Sequence, residues 1–235
     1  MFKFKLPLLT TGAFLLLLTQ LLNADEKSSN SAENQFKTLL VKPGETIISE
    51  NFDKDSKKIQ SWARYGTKWQ ITDGVLVGNP ASQEYQKAHP GKHSGLNPRL
   101  EIRVPDCKDG FLMKFDFKFD SKVDFAHFWL GHHRFKLIIE GDQAILQCSQ
   151  DEKNKIVKKT PLKAIAGPIQ EKQWYSVQME AHGTKRVIQV SGFEALSVEG
   201  ISLEKISPVR MSGSAGAPMY IDNFQFIKGA GLLNP

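Results

Sequence analysis

The stretch RLEIRVPDCKDGFLMKFDFKFDSKVDFAHFWLGHHRFKLIIE, residues 99–140, decides the fold. Leu100, Ile102 and Val104 alternate with Arg99, Glu101 and Arg103. Phe111, Met113, Phe115, Phe117 and Phe119 then alternate with Leu112, Lys114, Asp116, Lys118 and Asp120. A period of two sends successive side chains to opposite faces of a strand. The large apolar set needs a core, and the charged set suits water, the pattern of an antiparallel sheet covered on one side. The turn-forming PDCKDG between the two runs reads as a hairpin loop. That hairpin would place Arg99, Glu101 and Arg103 on one face with Lys114, Asp116 and Lys118, where cross-strand charge pairs form.

The same texture extends in both directions. Asp73-Gly74 between two apolar runs is a hairpin signal, because both residues accept positive φ cheaply. Glu140-Gly141-Asp142 and His182-Gly183-Thr184 give two more turns. Tyr175, Val177, Met179 and Ala181 alternate with polar residues, and PVRMSGS and MYIDNFQFIKG supply the last strands. Residues 79–98 hold three prolines and two glycines with no apolar period, so they read as a long loop of the kind that often carries function. The sequence shows no long amphipathic helix. Many short strands with turn signals every eight to twelve residues or so predict an all-β, two-sheet antiparallel β-sandwich.

The N-terminus reads differently. Lys3 and Lys5 precede the apolar run Leu6–Leu22, and Leu22-Asn23-Ala24 offers a cleavage site, so residues 1–24 read as a signal peptide. The run contains Pro7 and falls short of the ~20 residues a membrane-spanning helix needs. The expected product is exported, periplasmic or extracellular, with no membrane attachment after cleavage. Residues 25–38 are a polar linker, 39–228 the sandwich domain and 229–235 a tail. Cleavage lowers the formal charge from +6 to about +4. Basic residues are spread along the chain, and no aromatic-basic module is present, which argues against a nucleic-acid partner. Cys107 and Cys148 are the two cysteines; export permits a disulfide between them, and two buried thiols are the other reading.

Five segments resemble a known family: ENFD at 50–53, WARYGTKWQITDGVLVG at 62–78, RLEIRVPDCKDGFLMKFDFKFD at 99–120, HHRFKLIIEGDQAILQ at 132–147 and YIDNFQFIKG at 220–229. Together they resemble the secreted concanavalin A-like, laminin G-like sandwiches of the 3-keto-disaccharide hydrolase domain. The resemblance implies a jelly roll with adjacent first and last strands, and an association with carbohydrate that in some members includes hydrolysis of 3-keto sugars. It supplies no catalytic set that matches this chain.

Candidate residues follow from the charged face. Glu101 and Asp116 are the acid/base pair that neighbouring strands would offer, since glycoside hydrolysis commonly uses two carboxylates about 5–9 Å apart. His127 is a candidate general base. Arg99, Arg103, Lys114, Trp129 and His132 are candidate ligand-binding groups: forks and ammonium groups bond hydroxyls, and a ring stacks on a sugar's apolar face. Asp222, with Asp53, stands where jelly-roll sugar-binding modules hold a structural calcium. The expected partner is a glycan or disaccharide, bound and in the fuller reading hydrolysed as a 3-keto-glycoside. The alternative is a non-catalytic, envelope-associated structural or protein-interaction module.

Overall fold

A computed structural model describes residues 36–53, 59, 61–91, 94–118, 120, 125–130, 133–140, 143–150, 155–161, 170–199 and 208–234. Residues 1–24, read above as a signal peptide, most of residues 25–38 and His132 lie outside these residues. For Phe125, Leu130 and all of residues 133–161, only backbone and register are described.

Two antiparallel sheets form the domain. The first, sheet A, runs β12 (Leu196–Glu199), β11 (Lys185–Val190), β10 (Tyr175–His182), β5 (Phe111–Lys118), β14 (Met219–Leu232), β3 (Val75–Asn79) and β2 (Lys68–Thr72), and β1 (Val41–Glu50) also pairs with β14. The second, sheet B, runs β4 (Arg99–Ile102), β13 (Val209–Ser212), β6 (Phe125–Leu130), β7 (His133–Glu140), β8 (Gln143–Gln150) and β9 (Lys155–Pro161). The predicted sandwich is therefore present, and its first and last strands are adjacent.

Alternation builds the core. Phe111, Met113, Phe115 and Phe117 of β5 point inward with Val177 and Met179 of β10, Leu100 and Ile102 of β4, and Val209 and Met211 of β13. The sheets meet through rings: Phe128 of β6 lies 5.1 Å from Phe115 and 5.8 Å from Phe117, centroid to centroid. Tilted aromatic pairs of this kind add about 0.5–1.5 kcal/mol beyond their buried area.

The Asp73–Gly74 hairpin joins β2 to β3, with φ of 52° and 75° at its two central residues. β14 pairs with β3 through Met219–Ile221 and then with β1 from Phe224 onward. Asn223, at φ 49°, sits at the change of partner, where the register with β5 also shifts. An extra residue in one strand of a ladder bends it locally, which suits a strand passing from one neighbour to another. The segment read as an unbroken loop contains a short helix, α1 (Gln83–Ala88), whose N-cap Ser82 accepts from Tyr85 N. Its polar QEYQKA sequence buries no residue, so it carries no apolar period to betray it.

One expectation fails. β4 and β5 are not a hairpin: β4 belongs to sheet B and β5 to sheet A. PDCKDG is a crossover between the sheets. The apolar residues of both strands still reach one core, from opposite sides, so a period-two pattern cannot separate a hairpin from a crossover. The consequence is that the charged residues of the two strands lie on opposite outer surfaces of the sandwich. Cys107 is a free thiol in that crossover, with Sγ 3.5 Å from Pro105 O, and no bridge to Cys148 forms. Cys148 is on β8, four strands from β4 across sheet B.

Candidate functional site

The outer face of sheet B gathers the chemistry. Leu100 and Ile102 fill the core, so Arg99 and Glu101 face out; Val209 and Met211 do the same for Arg210. The register sets Arg210 opposite Glu101 on one side and opposite Trp129 on the other. Ser212 stands opposite Arg99 and His127 in the next row. On β7, Arg134 is opposite Trp129 and Lys136 is opposite His127.

β4 edges this sheet, and residues 61–64 run beside it. Glu101 N donates to Trp62 O at 2.8 Å, and Arg64 N donates to Arg99 O at 3.1 Å. The chain then turns at Tyr65-Gly66, with φ of 55° and 68°, closed by Thr67 N donating to Arg64 O at 3.1 Å. Tyrosine at positive φ costs on the order of 1–2 kcal/mol. The strained residue is the one whose ring carries Arg99: the guanidinium carbon lies 5.0 Å from the Tyr65 centroid and 5.4 Å from that of Trp129.

Glu101 is the centre of a charged triad. Arg210 Nε donates to its Oε2 at 2.7 Å, and Arg64 Nη2 donates to its Oε1 at 3.4 Å. Its side chain is 17% exposed and that of Arg210 35%. Burial, the largest single influence, opposes ionisation, but the hydrogen bonds and charges of Arg210 and Arg64 together outweigh it and hold the carboxyl below its usual range. Glu101 is thus an anion at neutral pH, an acceptor rather than an acid. Arg64 is fixed from behind, its Nη1 donating to Ser61 O at 2.8 Å and Ala63 O at 2.9 Å. Ser61, Trp62, Arg64, Glu101 and Arg103 line an open groove of about 440 Å³. A smaller hollow of about 130 Å³ is lined by Tyr65, Arg99 and residues 94–97.

Trp129 is 8% exposed. Arg99 and the edge-on ring of His127, at 4.7 Å, lie against it, so it is a floor beneath the cation rather than an open stacking platform. Sequence reasoning named Arg99, Glu101, Arg103, His127 and Trp129 of this face. It missed Arg64, Tyr65 and Arg210. The faint signals were an arginine between two buried residues in PVRMS and a tyrosine-glycine turn in WARYGTKW.

Two other candidates sit elsewhere. Asp116 and Lys114 are on the outer face of sheet A, so Glu101 and Asp116 cannot flank one bond. Asp116 is buried, accepting from Ser176 Oγ at 2.6 Å and Asn223 Nδ2 at 2.7 Å. Lys114 is opposite Gln178 and Gln225. Asp222 is buried and accepts from Asn223 N at 2.7 Å, and exposed Asp53 accepts from Asn51 Nδ2 at 2.6 Å. Calcium takes six or more oxygens. Among the described residues no group of three His, Cys, Asp or Glu side chains stands ready for a metal.

No protein-family model matches the chain, and no curated protein does. Solved structures do. A Bacillus subtilis protein of unknown function with a galectin-like fold aligns at TM-score 0.59 and 8% identity, over 81% of this chain and 99% of the other. A sialidase aligns at 0.54 and 9%, over 80% of this chain and 19% of its own. A GH43 protein, BlXynB of Bacillus licheniformis, aligns at 0.50 and 12%, over 77% and 39% respectively. At these identities the likeness speaks for the backbone, and the chain folds as a galectin-like β-sandwich.

Proposed function

We propose that the outer face of sheet B binds a glycan. The observation that carries this reading is the constellation around Glu101: an ionised carboxylate clamped by Arg64 and Arg210, beside an arginine held over two aromatic rings, along an open groove. A carboxylate accepts from sugar hydroxyls and guanidinium forks donate to their oxygens. The half-buried Tyr65 ring offers a sugar an apolar flank. The fold supplies the sheet that presents these groups.

Binding is favoured over hydrolysis of a 3-keto-glycoside. The second carboxylate that hydrolysis commonly needs, Asp116, is on the other sheet, and Glu101 is held ionised. The test is a glycan microarray probed with the wild type, Glu101→Gln and a control on the other face, Lys114→Ala. Signal that Glu101→Gln weakens about tenfold, as loss of a charge-assisted bond predicts, and that Lys114→Ala leaves unchanged, supports the reading. Loss with Lys114→Ala alone moves the site to sheet A. Release of monosaccharide from a 3-keto disaccharide, abolished by His127→Ala, would make the face catalytic.

A further inference from the structure

Among the described residues of this face, cations outnumber anions around Glu101. Arg64 and Arg103 line the groove, Arg99 lines the smaller hollow and Arg210 pairs with Glu101, which among the described residues is the acid that lines either. Four positive charges against one negative leave +3. By register, Arg134 and Lys136 on β7 continue the basic positions past Trp129 and His127.

The four arginines are not equivalent. Arg64 and Arg210 are committed to Glu101. Arg99 is held by the faces of Tyr65 and Trp129, and Arg103 is exposed at the groove. Among the described residues neither Arg99 nor Arg103 has an oxygen acceptor. Ring faces attract a guanidinium's charge without consuming its five N–H donors. Arg99 is thus held by ring faces that, among the described residues, leave its N–H donors unused. A neutral sugar would answer these donors with hydroxyls alone, whereas an oxyanion answers with paired, charge-assisted bonds that match the planar fork.

We infer that the glycan taken by this face is anionic, a saccharide bearing uronic acid carboxylates or sulfate esters, with the anion against Arg99 and Arg103 and neighbouring hydroxyls on Glu101. This rests on the glycan-binding reading above and adds the class of ligand. Arg99 sets the position, because it alone of the two is packed; Arg103 adds charge at the open side. Glu101 stands between Arg99 and Arg103 on the outward face, so by repulsion it keeps an anion off the middle position and leaves that position to hydroxyls.

Calorimetric titration of the full-length protein tests this with paired probes. One pair is a galacturonate hexamer and the same hexamer with its carboxylates reduced to alcohols. The other is a dextran oligosaccharide with and without sulfate esters. The expected result is binding to a charged member and at least about tenfold weaker binding to its neutral twin, the scale of one lost charge-assisted contact. The pair that shows the difference tells carboxylate from sulfate. Arg99→Gln and Arg103→Gln should each lower affinity for the charged probe, and the second is at an exposed site where folding is not at issue. Equal affinity for charged and neutral twins overturns the anionic assignment and leaves glycan binding standing. Binding of none of the four overturns both. A single-stranded DNA oligonucleotide bound as tightly as the charged saccharide also overturns it, since the face would then hold any polyanion.

Discussion

Glu101 and Glu180 are both carboxylates on outer faces of the sandwich, and they do opposite work. Glu180, on β10 of sheet A, is 1% exposed. Its oxygens accept from the backbone N–H groups of Leu39, Leu40 and Val41 at 2.9, 2.8 and 2.9 Å, and from Gln178 Nε2 at 3.0 Å. Gln189 Nε2 ties the same segment down through Lys37 O at 3.1 Å. This carboxylate is saturated by the chain that covers it, and it fastens the entry of β1 to sheet A. Glu101 is answered by two long side chains on a surface that nothing in the described chain covers. The lesson is that a charged group facing out from a sheet is structural when backbone satisfies and covers it, and reachable from solvent when other side chains satisfy it.

The cations divide in the same way. Lys118 of sheet A lies over Trp174 at 5.3 Å and Tyr220 at 4.7 Å, and it also pairs with Asp120 at 3.8 Å. Tyr220 donates to that same Asp120; burial first, then this bond and its charge, push the phenol up to about 12. Arg99 has the two rings and, among the described residues, no acid beside it. The first cluster is complete in itself, and the second is the one proposed to take a ligand.

Four changes would sharpen or break this contrast. The largest effect is expected from Glu180→Ala, which strips the acceptor from three backbone donors; at roughly 1 kcal/mol or more for each, urea denaturation should show a loss of about 3 kcal/mol, with glycan affinity unchanged in the folded protein. A loss below about 1 kcal/mol would mean that water serves the segment as well as Glu180 does. Next is Gly95→Ala. Gly95 has φ +71°, and a Cβ there would stand 2.1 Å from Tyr65 O and 2.6 Å from Ala81 Cβ. It should lower stability by more than about 1 kcal/mol and weaken binding as well, because the Tyr65 turn must shift. Lost stability with intact affinity would separate Tyr65 from the site.

Smaller effects are expected from Arg210→Gln. A partly exposed ion pair contributes about 1 kcal/mol or less, so the melting temperature should barely move while affinity falls. The smallest is a pH effect on the same pair. Glu101 has a depressed folded-state pKa, so its contribution is present above the unfolded value near 4.3 and is lost as the pH falls through the lower folded value. Stability should therefore decline less steeply below about pH 4.3 in Glu101→Gln than in the wild type. Identical slopes would show that the arginines do not hold the carboxyl down.

The fold was largely written in local pattern. Alternation from Phe111 to Phe117 and from Tyr175 to Ala181 chose the buried faces correctly, and Asp73-Gly74 marked its hairpin. The crossover at PDCKDG was not legible, because a turn sequence states that the chain reverses and not which sheet it rejoins. That one ambiguity moved Asp116 and Lys114 to the wrong surface. The site was half legible. Arg99, Glu101 and Trp129 share one long stretch, but the arginines that clamp Glu101 come from 37 and 109 residues away, Arg64 on the segment running beside β4 and Arg210 through the register of sheet B. Tyr65 was hidden for another reason: its position depends on a strained backbone that glycine at 95 makes room for.

The most direct measurement follows the indole N–H signals of Trp129 and Trp174 by NMR, assigned through Trp→Phe variants, as galacturonate hexamer is added. Trp129 lies under Arg99 on sheet B, and Trp174 lies against Lys118 on sheet A. The Trp129 signal should move in proportion to saturation while the Trp174 signal stays still. Movement of Trp174 with Trp129 unchanged would contradict it and place the ligand on the other face.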